Sequence, residues 1–403
     1  MSLSQRAADR YTPGMPGVLS GLHVLDLADR SGALAGKLLA GLGADVVLVE
    51  PPGGSSLRGI GPFLEGAPHG ERSLFFWFYA AGKRSIVADP ATPAGAALLG
   101  RLAAHADVLI ETQSVAAGDA PDEVHGEPVR WASTRDLSRL VVASITPFGQ
   151  AGPYRDWRSS DLVAQAMGGM LAVSGHPDGR PLHSLGLQAY HQAGVLAATG
   201  VLAALLARER TGRGQRVDVS LQAAVAASLE HVPGLFHQTG QIPKRHGTLH
   251  WTRFFRVGRC RDGWVMHCTL GDWTSLIEWV KSDGLGADID QPEMQDSMHR
   301  QRMAERIFTV LDAWAARYTV AELHQGAQLR RIPYAAVRAP EALLSDPHLA
   351  ERGFFVPIEH PALGRSVPFP GAAFRIDDAP WHVSAPPRLD QDRDAVLRDW
   401  SAT

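Results

Sequence analysis

Residues 24–49 read VLDLADRSGALAGKLLAGLGADVVLV, and their pattern predicts the architecture of the N-terminal half. Two apolar runs, Val24–Leu27 and Val46–Val49, flank a turn of small residues and an apolar helical stretch over 33–42. That order predicts a strand, a crossover helix and a second strand parallel to the first. Parallel strands need helices on their faces, so we expect an open α/β sheet.

The same alternation continues to about residue 145. Further strands are predicted over 85–88, 108–110 and 140–145, and a helix over 93–104 begins with Pro93. From Asp161 the chain turns helical, over 162–171 and 193–210. The apolar run 195–206 is shorter than the roughly 20 residues that cross a bilayer, so we predict a buried helix there.

The C-terminal half is less regular. Residues 231–255 contain proline, glycine and histidine without an apolar period, which predicts a linker. A strand over 264–267 and an amphipathic helix over 303–316 predict a smaller α+β domain. After Pro333, short apolar segments between prolines predict a tail that wraps over an existing surface.

Composition narrows the class of protein. Of 403 residues, 45% are hydrophobic and 20% are charged, as in ordinary globular proteins. The net charge of -3 gives no field that would favour a nucleic-acid or membrane partner. Cys260 and Cys268 are too few for a disulfide framework, and the N-terminus has no apolar signal segment. We therefore expect a cytoplasmic protein.

A dinucleotide site is the first functional hypothesis. Glu50 follows the second strand, where an acid that binds ribose would lie. The turn before the first helix offers only Gly32 and Gly36, so the glycine fingerprint that lets backbone approach a pyrophosphate is missing. A nicotinamide cofactor is disfavoured, although the helix N-terminus could still receive a phosphate or carboxylate.

The loop GHPDGRP at 175–181 carries the second hypothesis. Pro-Asp-Gly is a common turn sequence, and turn chemistry alone accounts for each residue. Alternatively, the Asp178 carboxylate, held by Pro177 and unobstructed by Gly179, could attack an acyl carbon as a nucleophile. The pattern alone leaves both interpretations open.

Other polar residues give weaker signals. Asp161, at a predicted helix N-terminus, could cap the helix or act as an acid or base. His246 and His250 have the spacing of a helical metal pair, but Pro243 and Gly247 argue against a helix there. No serine or cysteine lies in a nucleophile-elbow context.

Eleven segments in order along the chain form a recognisable set. They are LSGLHVLDL (19–27), LGADVVLVEPPG (42–53), GKRSI (82–86), DPATPAG (89–95), ASITPFGQAGPY (143–154), DLVAQAM (161–167), TGRGQ (211–215), VDV (217–219), IP (332–333), SDPHL (345–349) and RG (352–353). Together they resemble the family III CoA-transferases, or CaiB/BaiF family, which include formyl-CoA:oxalate transferase, carnitine CoA-transferase and the α-methylacyl-CoA racemases.

The resemblance implies a function. In the transferase members the catalytic aspartate lies in a Gly-x-x-Asp-Gly-x-Pro loop, which corresponds to Asp178, with Gly179 as a candidate oxyanion donor. Coenzyme A would move from an acyl-CoA donor to a carboxylic acid acceptor through an anhydride and a thioester on Asp178. No cofactor would be bound permanently, since coenzyme A is part of the substrate.

Two alternatives remain. Racemase members pair an aspartate at the position of Asp161 with a histidine in a Gly-His-Asp context, where this chain has Ser159 and Ser160. An acyl-CoA racemase or isomerase that uses Asp161 is therefore disfavoured but open. The second alternative is a family member that binds acyl-CoA without catalysis.

By the same resemblance, coenzyme A lies along the carboxyl ends of the strands. The implied contacts are Arg30, Ser31, Ala88, Ala91, Thr112, Gln113 and Phe148. This chain has Glu111-Thr-Gln113 where the family usually has Glu-Asn-Phe, and Tyr190 where an aspartate is frequent. Arg58, Lys83 and Arg84 could supply the missing phosphate contacts or be surface charges. Possible pocket residues are His176, His183, Tyr190 and Trp251.

The resemblance also implies the domain organisation. We expect a large α/β domain with an open parallel, Rossmann-like sheet over 1–225, then a linker and a smaller α+β domain over 226–330. A return linker and tail over 331–403 would complete the large domain. Two such chains would form an interlocked, ring-like homodimer.

Overall fold

The computed structural model describes residues 16–66, 69–112, 138–361, 363–376 and 379–401. Contacts divide the chain into two compact units. The first contains the described residues up to Met170, residues 183–237 and those from Asp346 onward; the second contains 171–182 and 238–345. The units are therefore interleaved in sequence, and the short segment 171–182 belongs with the second one.

A six-stranded parallel sheet forms the centre of the first unit, in the order β3-β2-β1-β4-β5-β6. Val24 of β1 pairs with Val46 on one side and with Val108 on the other. The open parallel sheet predicted from residues 24–49 is thus confirmed. The strands are β1 (His23–Leu27), β2 (Asp45–Glu50), β3 (Arg84–Val87), β4 (Val108–Thr112), β5 (Val141–Thr146) and β6 (Arg216–Ser220).

The sheet order reverses direction at β1, which lies between β2 and β4. Every residue of β4 is buried, as expected of a parallel strand with helices on both faces. In open α/β sheets, ligands bind beyond the carboxyl ends of the strands at such a reversal point. The turn after β1 and the end of β4 are therefore the part of this unit in which a site is expected.

Helices cover the sheet and build the second unit. In chain order they are α1 (Ala33–Gly41), α2 (Leu74–Ala80), α3 (Pro93–Ala103), α4 (Asp161–Met167), α5 (Met170–Val173), α6 (Gln188–Thr211), α7 (Leu221–Ala227), α8 (His231–Thr239), α9 (Trp273–Ser282), α10 (Ser297–Arg302), α11 (Ala304–Ala315), α12 (Val320–Leu329), α13 (Pro347–Arg352) and α14 (Arg393–Ser401). Single turns of 3-10 helix lie at Ser56–Gly59, Leu64–Gly66, Gly70–Arg72, Ala287–Ile289, Pro292–Gln295 and Pro340–Ser345.

Helix α6 differs from its prediction. Ala193, Ala197 and Val201 are fully buried in the sheet core, but the opposite face is exposed. The prediction of a buried helix is therefore wrong for one face, because the sheet covers only one side of it. Among the described residues, α6 has the length and apolar composition of a membrane span, with half of that window buried. Its exposed apolar side chains are Val195, Leu196, Leu202 and Leu206.

The predicted linker over 231–255 is wrong in its first part, since residues His231–Thr239 form α8. Pro233 falls in the first turn of this helix, where a backbone N–H would have no helical partner in any case. Proline is thus compatible with the helix at that position. Residues 240–254 contain no helix or strand.

The second unit combines a small antiparallel sheet with helices, as predicted for the smaller α+β region. The sheet contains β7 (Phe255–Arg259), β8 (Trp264–Cys268) and β9 (Ala335–Ala336) in that order. Its core is strongly aromatic: Trp279 and Trp314 meet edge to face with ring centroids 4.7 Å apart, beside the fully buried Phe308.

The C-terminal segment packs on the first unit. Strands β10 (Phe355–His360) and β11 (Arg365–Pro370) form an antiparallel hairpin, and α14 follows. Val396 and Trp400 of α14 are buried in the same cluster as Leu25 of β1. The indole Nε1 of Trp400 donates to Asp45 Oδ2 at 2.8 Å, so the end of the chain is tied to the second strand.

Candidate active site

The turn after β1 is tied to the end of β4. The backbone N–H of Asp29 donates to Thr112 Oγ1 at 2.9 Å. Both the N–H and the hydroxyl of Ser31 donate to Asp29 Oδ1, at 2.7 and 2.5 Å. Burial raises the pKa of Asp29, and the bonds from Ser31 oppose that shift. Ser31 and Thr112, both implied as coenzyme A contacts, thus hold the shape of this turn.

Gly32 and Gly36 allow α1 to approach the sheet closely. A Cβ atom at Gly32 would lie 2.8 Å from Thr112 Cγ2, and one at Gly36 would overlap Asp26 Oδ2. Both glycines are therefore required for packing between helix and strand. A role in pyrophosphate binding is not needed to explain them. The N-terminus of α1 carries no side-chain cap.

Glu50 is fully buried and saturated with hydrogen bonds, so it is unavailable to a ribose. Arg58 Nε donates to Glu50 Oε2 at 2.6 Å and Arg58 Nη2 to Oε1 at 2.8 Å. Ser85 Oγ donates to Glu50 Oε1 at 2.5 Å, and the N–H of Ser55 donates to Oε2 at 2.9 Å, so each carboxylate oxygen accepts two hydrogen bonds. The guanidinium also lies 3.8 Å from the centroid of the Phe76 ring. Arg58 is thus neither a surface charge nor a phosphate contact.

Lys83 and Arg84 are also paired. Lys83 Nζ lies 2.7 Å from Asp26 Oδ2, and both side chains are almost fully buried. Arg84 contacts Asp45 at 2.5 Å and Asp399 at 2.6 Å. The hypothesis that these two residues replace missing phosphate contacts is therefore wrong in this conformation, because each cation is already neutralised by a carboxylate.

Asp161 lies in the first turn of α4 but does not cap it. Ser160 is the cap, since its Oγ accepts a hydrogen bond from the Val163 N–H at 3.3 Å. The Asp161 carboxylate accepts instead from the Tyr190 N–H at 3.1 Å and from Gln165 Nε2 at 2.5 Å. Oδ1 thus ties α4 to the start of α6, while Oδ2 is held within α4 by Gln165. The capping prediction is wrong by one residue.

Sequence reasoning did not find three further titratable side chains, namely Tyr79 and His191 near Asp161, and Lys37 near His191. Tyr79 Oη and His191 Nε2 are 2.6 Å apart, and Lys37 Nζ donates to the Phe78 carbonyl at 2.6 Å. Burial lowers the pKa of Lys37 to about 7 and raises that of Tyr79 to about 12. Burial also lowers the pKa of His191, while the Asp161 charge opposes it. No short motif links these residues, which come from three separate helices.

Tyr190 and Arg30 lie in the same neighbourhood. Burial raises the pKa of Tyr190, and the Arg30 charge opposes this, so the two side chains are close in space. The turn after β1 and the start of α6 therefore share one polar region. Arg30 is the implied coenzyme A contact that carries a charge into it.

The remaining implied contacts lie on separate loops. Ala88 is buried at the end of β3, and the Ala91 N–H donates to Asp89 Oδ1 at 2.9 Å. Phe148, after β5, meets Tyr154 and Trp157 edge to face at 5.8 and 6.2 Å between centroids. Gln113 lies outside the described residues.

The Asp178 loop belongs to the second unit. The Gly179 N–H donates to the His176 carbonyl at 3.1 Å, so residues 176–179 close a turn with Asp178 as its third residue. Asp178 is exposed. The turn interpretation is thus correct for the backbone, and the role of Asp178 as a nucleophile stays a prediction. The Gly179 N–H is engaged within the turn and is not free to donate to an oxyanion in this conformation.

Arg245 holds this turn from the neighbouring loop. Its Nε donates to the His176 carbonyl at 3.2 Å, and its Nη2 donates to the Gly179 carbonyl at 3.1 Å. The Gly247 N–H donates to the Gly175 carbonyl at 2.9 Å. These contacts, which explain why 171–182 joins the second unit, could not be read from the sequence.

The structure gives no support to the metal pair of His246 and His250, or to His183 and Trp251 as pocket residues. His246 and His250 lie in an irregular loop, so they do not share a helix face. His183 Nδ1 contacts the adjacent Ser184 carbonyl, and Trp251 is exposed beside His250. Within the described ranges, no group of three or more histidine, cysteine or acidic residues could hold a metal ion.

Comparisons with known proteins agree with the fold and the motifs. Residues 19–393 match the model of CoA-transferase family III. A succinyl-CoA:(R)-benzylsuccinate CoA-transferase subunit from Thauera aromatica is 31% identical over 94% of this chain and 93% of that protein. A formyl-CoA:oxalate CoA-transferase from Streptomyces avermitilis is 31% identical over 93% of each chain.

A solved structure shares the same architecture. The crystal structure of a CaiB/BaiF family protein from Brucella suis superposes with a TM-score of 0.81 and 26% identity, over 96% of this chain and 100% of that one. Sequence and structure therefore agree over nearly the whole length. The chain belongs to CoA-transferase family III.

Proposed function

We propose that this protein moves coenzyme A from an acyl-CoA donor to a carboxylic acid acceptor, with Asp178 as the nucleophile. The observation that carries the proposal is the exposed Asp178 carboxylate, presented by a closed turn in a chain of this family. An exposed carboxylate on a fixed turn can approach an acyl carbon without first breaking an ion pair.

The first half-reaction has two steps. An Asp178 oxygen attacks the thioester carbonyl, the C–S bond breaks, and an acyl-aspartyl anhydride forms with a CoA thiolate. The thiolate then attacks the aspartyl carbonyl carbon, and the bond between that carbon and the bridging oxygen of the anhydride breaks. The donor acid leaves as a carboxylate, and Asp178 carries coenzyme A as a thioester.

The second half-reaction reverses these steps on the acceptor. The acceptor carboxylate attacks the aspartyl thioester and releases the thiolate, which then attacks the acceptor acyl carbon of the new anhydride. The product acyl-CoA and the free Asp178 carboxylate result. Each step moves an electron pair among oxygen, carbon and sulfur, so we propose that no permanently bound cofactor takes part.

Binding of the coenzyme A portion would hold the acyl carbon against the nucleophile. We propose that the turn after β1, the end of β4 and the loops after β3 and β5 take this role. Arg30 supplies a charge there, and the uncapped N-terminus of α1 can receive an anion. The residues proposed to contact coenzyme A are Arg30, Ser31, Ala88, Ala91, Thr112, Gln113 and Phe148.

A trapping experiment tests the proposal. The protein is incubated with succinyl-CoA or acetyl-CoA, treated with hydroxylamine or borohydride, and digested for mass spectrometry. We expect label on the peptide that contains Asp178 and none in Asp178→Asn, whose transfer rate should fall by at least about 1000-fold. Asp288→Asn, which removes an exposed carboxylate paired with Arg306 at 2.6 Å, should label normally.

The acceptor class is found with a panel of carboxylic acids. Oxalate and benzylsuccinate, named in the two relatives above, are both dicarboxylic acids, so the panel should contain dicarboxylic acids beside simple ones. Affinity for acyl-CoA without any adduct would instead support a binding protein. Exchange of the α-proton without transfer would support a racemase.

A further inference from the structure

We infer that Arg245 is a positioning residue for the proposed nucleophile, because its guanidinium fixes the turn that carries Asp178. This inference rests on the function proposed above. Arg245 makes no contact with the Asp178 carboxylate among the bonds described; it acts on the backbone on both sides of it. The residues that hold the turn, Arg245 and Gly247, are called the clasp below.

Three hydrogen bonds join the guanidinium to the turn. Arg245 Nε donates to the His176 carbonyl at 3.2 Å, and Nη2 donates to the carbonyls of Pro177 at 3.4 Å and Gly179 at 3.1 Å. Two of these carbonyls precede Asp178 and one follows it. The Asp178 Cα is therefore bracketed by peptide groups that the same side chain holds.

Gly247 secures the base of the loop. Its N–H donates to the Gly175 carbonyl at 2.9 Å, and its φ of +63° is one that glycine adopts without strain. A Cβ there would lie 3.2 Å from His176 Cδ2, so the two segments are in close contact. The clasp thus reaches the turn at Gly175 and again at His176 to Gly179.

Arginine suits this task better than lysine. A planar guanidinium presents its N–H groups in a fixed geometry and can serve several carbonyls at once. An ammonium at the same place would satisfy fewer of them. Without the clasp, two backbone bonds would still close the loop: the Gly179 N–H donates to the His176 carbonyl, and the Leu182 N–H donates to the Ser174 carbonyl, both at 3.1 Å. Neither bond holds the carbonyls of Pro177 and Gly179, which flank Asp178.

The clasp matters for chemistry more than for stability. A hydrogen bond at such an exposed site contributes little to folding, because water competes for both of its partners. The aromatic core of the second unit, around Trp279, Phe308 and Trp314, does not include Arg245. By contrast, a nucleophile misplaced by about 1 Å can lose about 100-fold in rate.

The experiment compares Arg245→Met and Arg245→Lys with Lys244→Met. Lys244 is the exposed neighbour, so its variant removes the same charge from the same segment without touching the turn. We expect the rate of Asp178 labelling by acyl-CoA to fall about 10- to 100-fold in Arg245→Met. KM for acyl-CoA should stay within about threefold, and the lysine variant should fall between.

Two further readouts separate positioning from folding. Hydrogen exchange followed by mass spectrometry should be faster in the 174–182 peptide of Arg245→Met and unchanged in Lys244→Met. Guanidinium ion at millimolar concentration should restore labelling in Arg245→Ala, whereas sodium chloride at the same ionic strength should not.

Labelling of Arg245→Met at the wild-type rate would overturn the inference. So would a KM increase that accounts for the whole loss with unchanged exchange in the 174–182 peptide. If Arg245→Met does not fold, Arg245→Lys and guanidinium rescue of Arg245→Ala decide. Absence of an adduct in the wild-type protein itself would instead contradict the proposed function, which keeps the two failures distinct.

Discussion

Glu50 shows how far residue-level interpretation depends on burial. The position of Glu50 at the end of a strand predicts an acid that is free to bind a ligand. In the structure, two N–H groups of Arg58 donate to the Glu50 carboxylate, and the Glu50 side chain is inaccessible to solvent. The pair lies only eight residues apart in sequence. Removal of Arg58 would leave the buried Glu50 charge without its cation, which costs several kcal/mol, whereas Arg58 would still contact Glu71 Oε1 at 3.2 Å if Glu50 were removed.

Lys37 gives a prediction about pH at the same scale. Its pKa falls from 10.5 to about 7 through burial, with a smaller effect from Lys83. Between pH 7 and 10 the unfolded chain therefore binds a proton that the folded chain does not, so stability increases as pH rises through that window. Below about pH 7 both states are protonated and the contribution no longer changes.

We expect this dependence to disappear in Lys37→Met. From pH 7 to pH 9, the free energy of unfolding of the wild type should gain about 1–2 kcal/mol relative to the variant, allowing for partial solvent exposure. Urea unfolding at the two pH values measures it. Lys244→Met, at an exposed site, should keep the wild-type dependence; parallel curves for Lys37→Met would contradict the assignment.

Helices α1 and α8 each contain a glycine, and the two glycines differ in the space around them. Gly36 of α1 lies against the Asp26–Lys83 ion pair, where a Cβ has no room. Gly234 of α8 has no atom within 4 Å of an added Cβ. Substitution of each glycine by alanine therefore distinguishes the effect of helix propensity from the effect of packing.

Gly36→Ala should destabilise the protein by about 2–4 kcal/mol, because the added methyl group forces the buried ion pair apart. Gly234→Ala should instead stabilise it by about 0.5–1 kcal/mol, since alanine favours the helix. Denaturant midpoints with unchanged slopes provide the comparison. Equal effects of the two variants would show that α1 can move away from the sheet.

The sequence predicts the bounds of several helices more accurately than it predicts which faces of those helices are buried. The helices over 93–103 and 304–315 lie within one residue of their predicted ends, because Pro93 marks a start and amphipathic spacing marks a face. The α6 prediction missed an exposed apolar face, since apolar composition does not specify whether one side or all sides are covered. The helix over 231–239 does not follow from the pattern, because proline, glycine and histidine interrupt the apolar period there, although Pro233 lies in the first turn, where proline is tolerated.

For the whole molecule, the family resemblance predicts an obligate homodimer. The exposed apolar side chains of α6 agree with a partner surface, because large apolar side chains in water cost free energy. Sedimentation or light scattering should give twice the chain mass down to the lowest measurable concentration. A folded monomer at low concentration would contradict the prediction.

The parallel sheet, the bounds of α1, α3 and α11 and the Pro-Asp-Gly turn could be predicted from the amino-acid sequence. Each of these follows from local periods and turn preferences along a short stretch of chain. The buried ion pairs Glu50–Arg58 and Asp26–Lys83 became visible only in three dimensions. The same is true of the hydrogen bond between Tyr79 and His191. The tertiary structure also joined Arg245 to a turn almost 70 residues earlier. Such contacts depend on how distant segments meet in three dimensions, and no local pattern encodes that meeting.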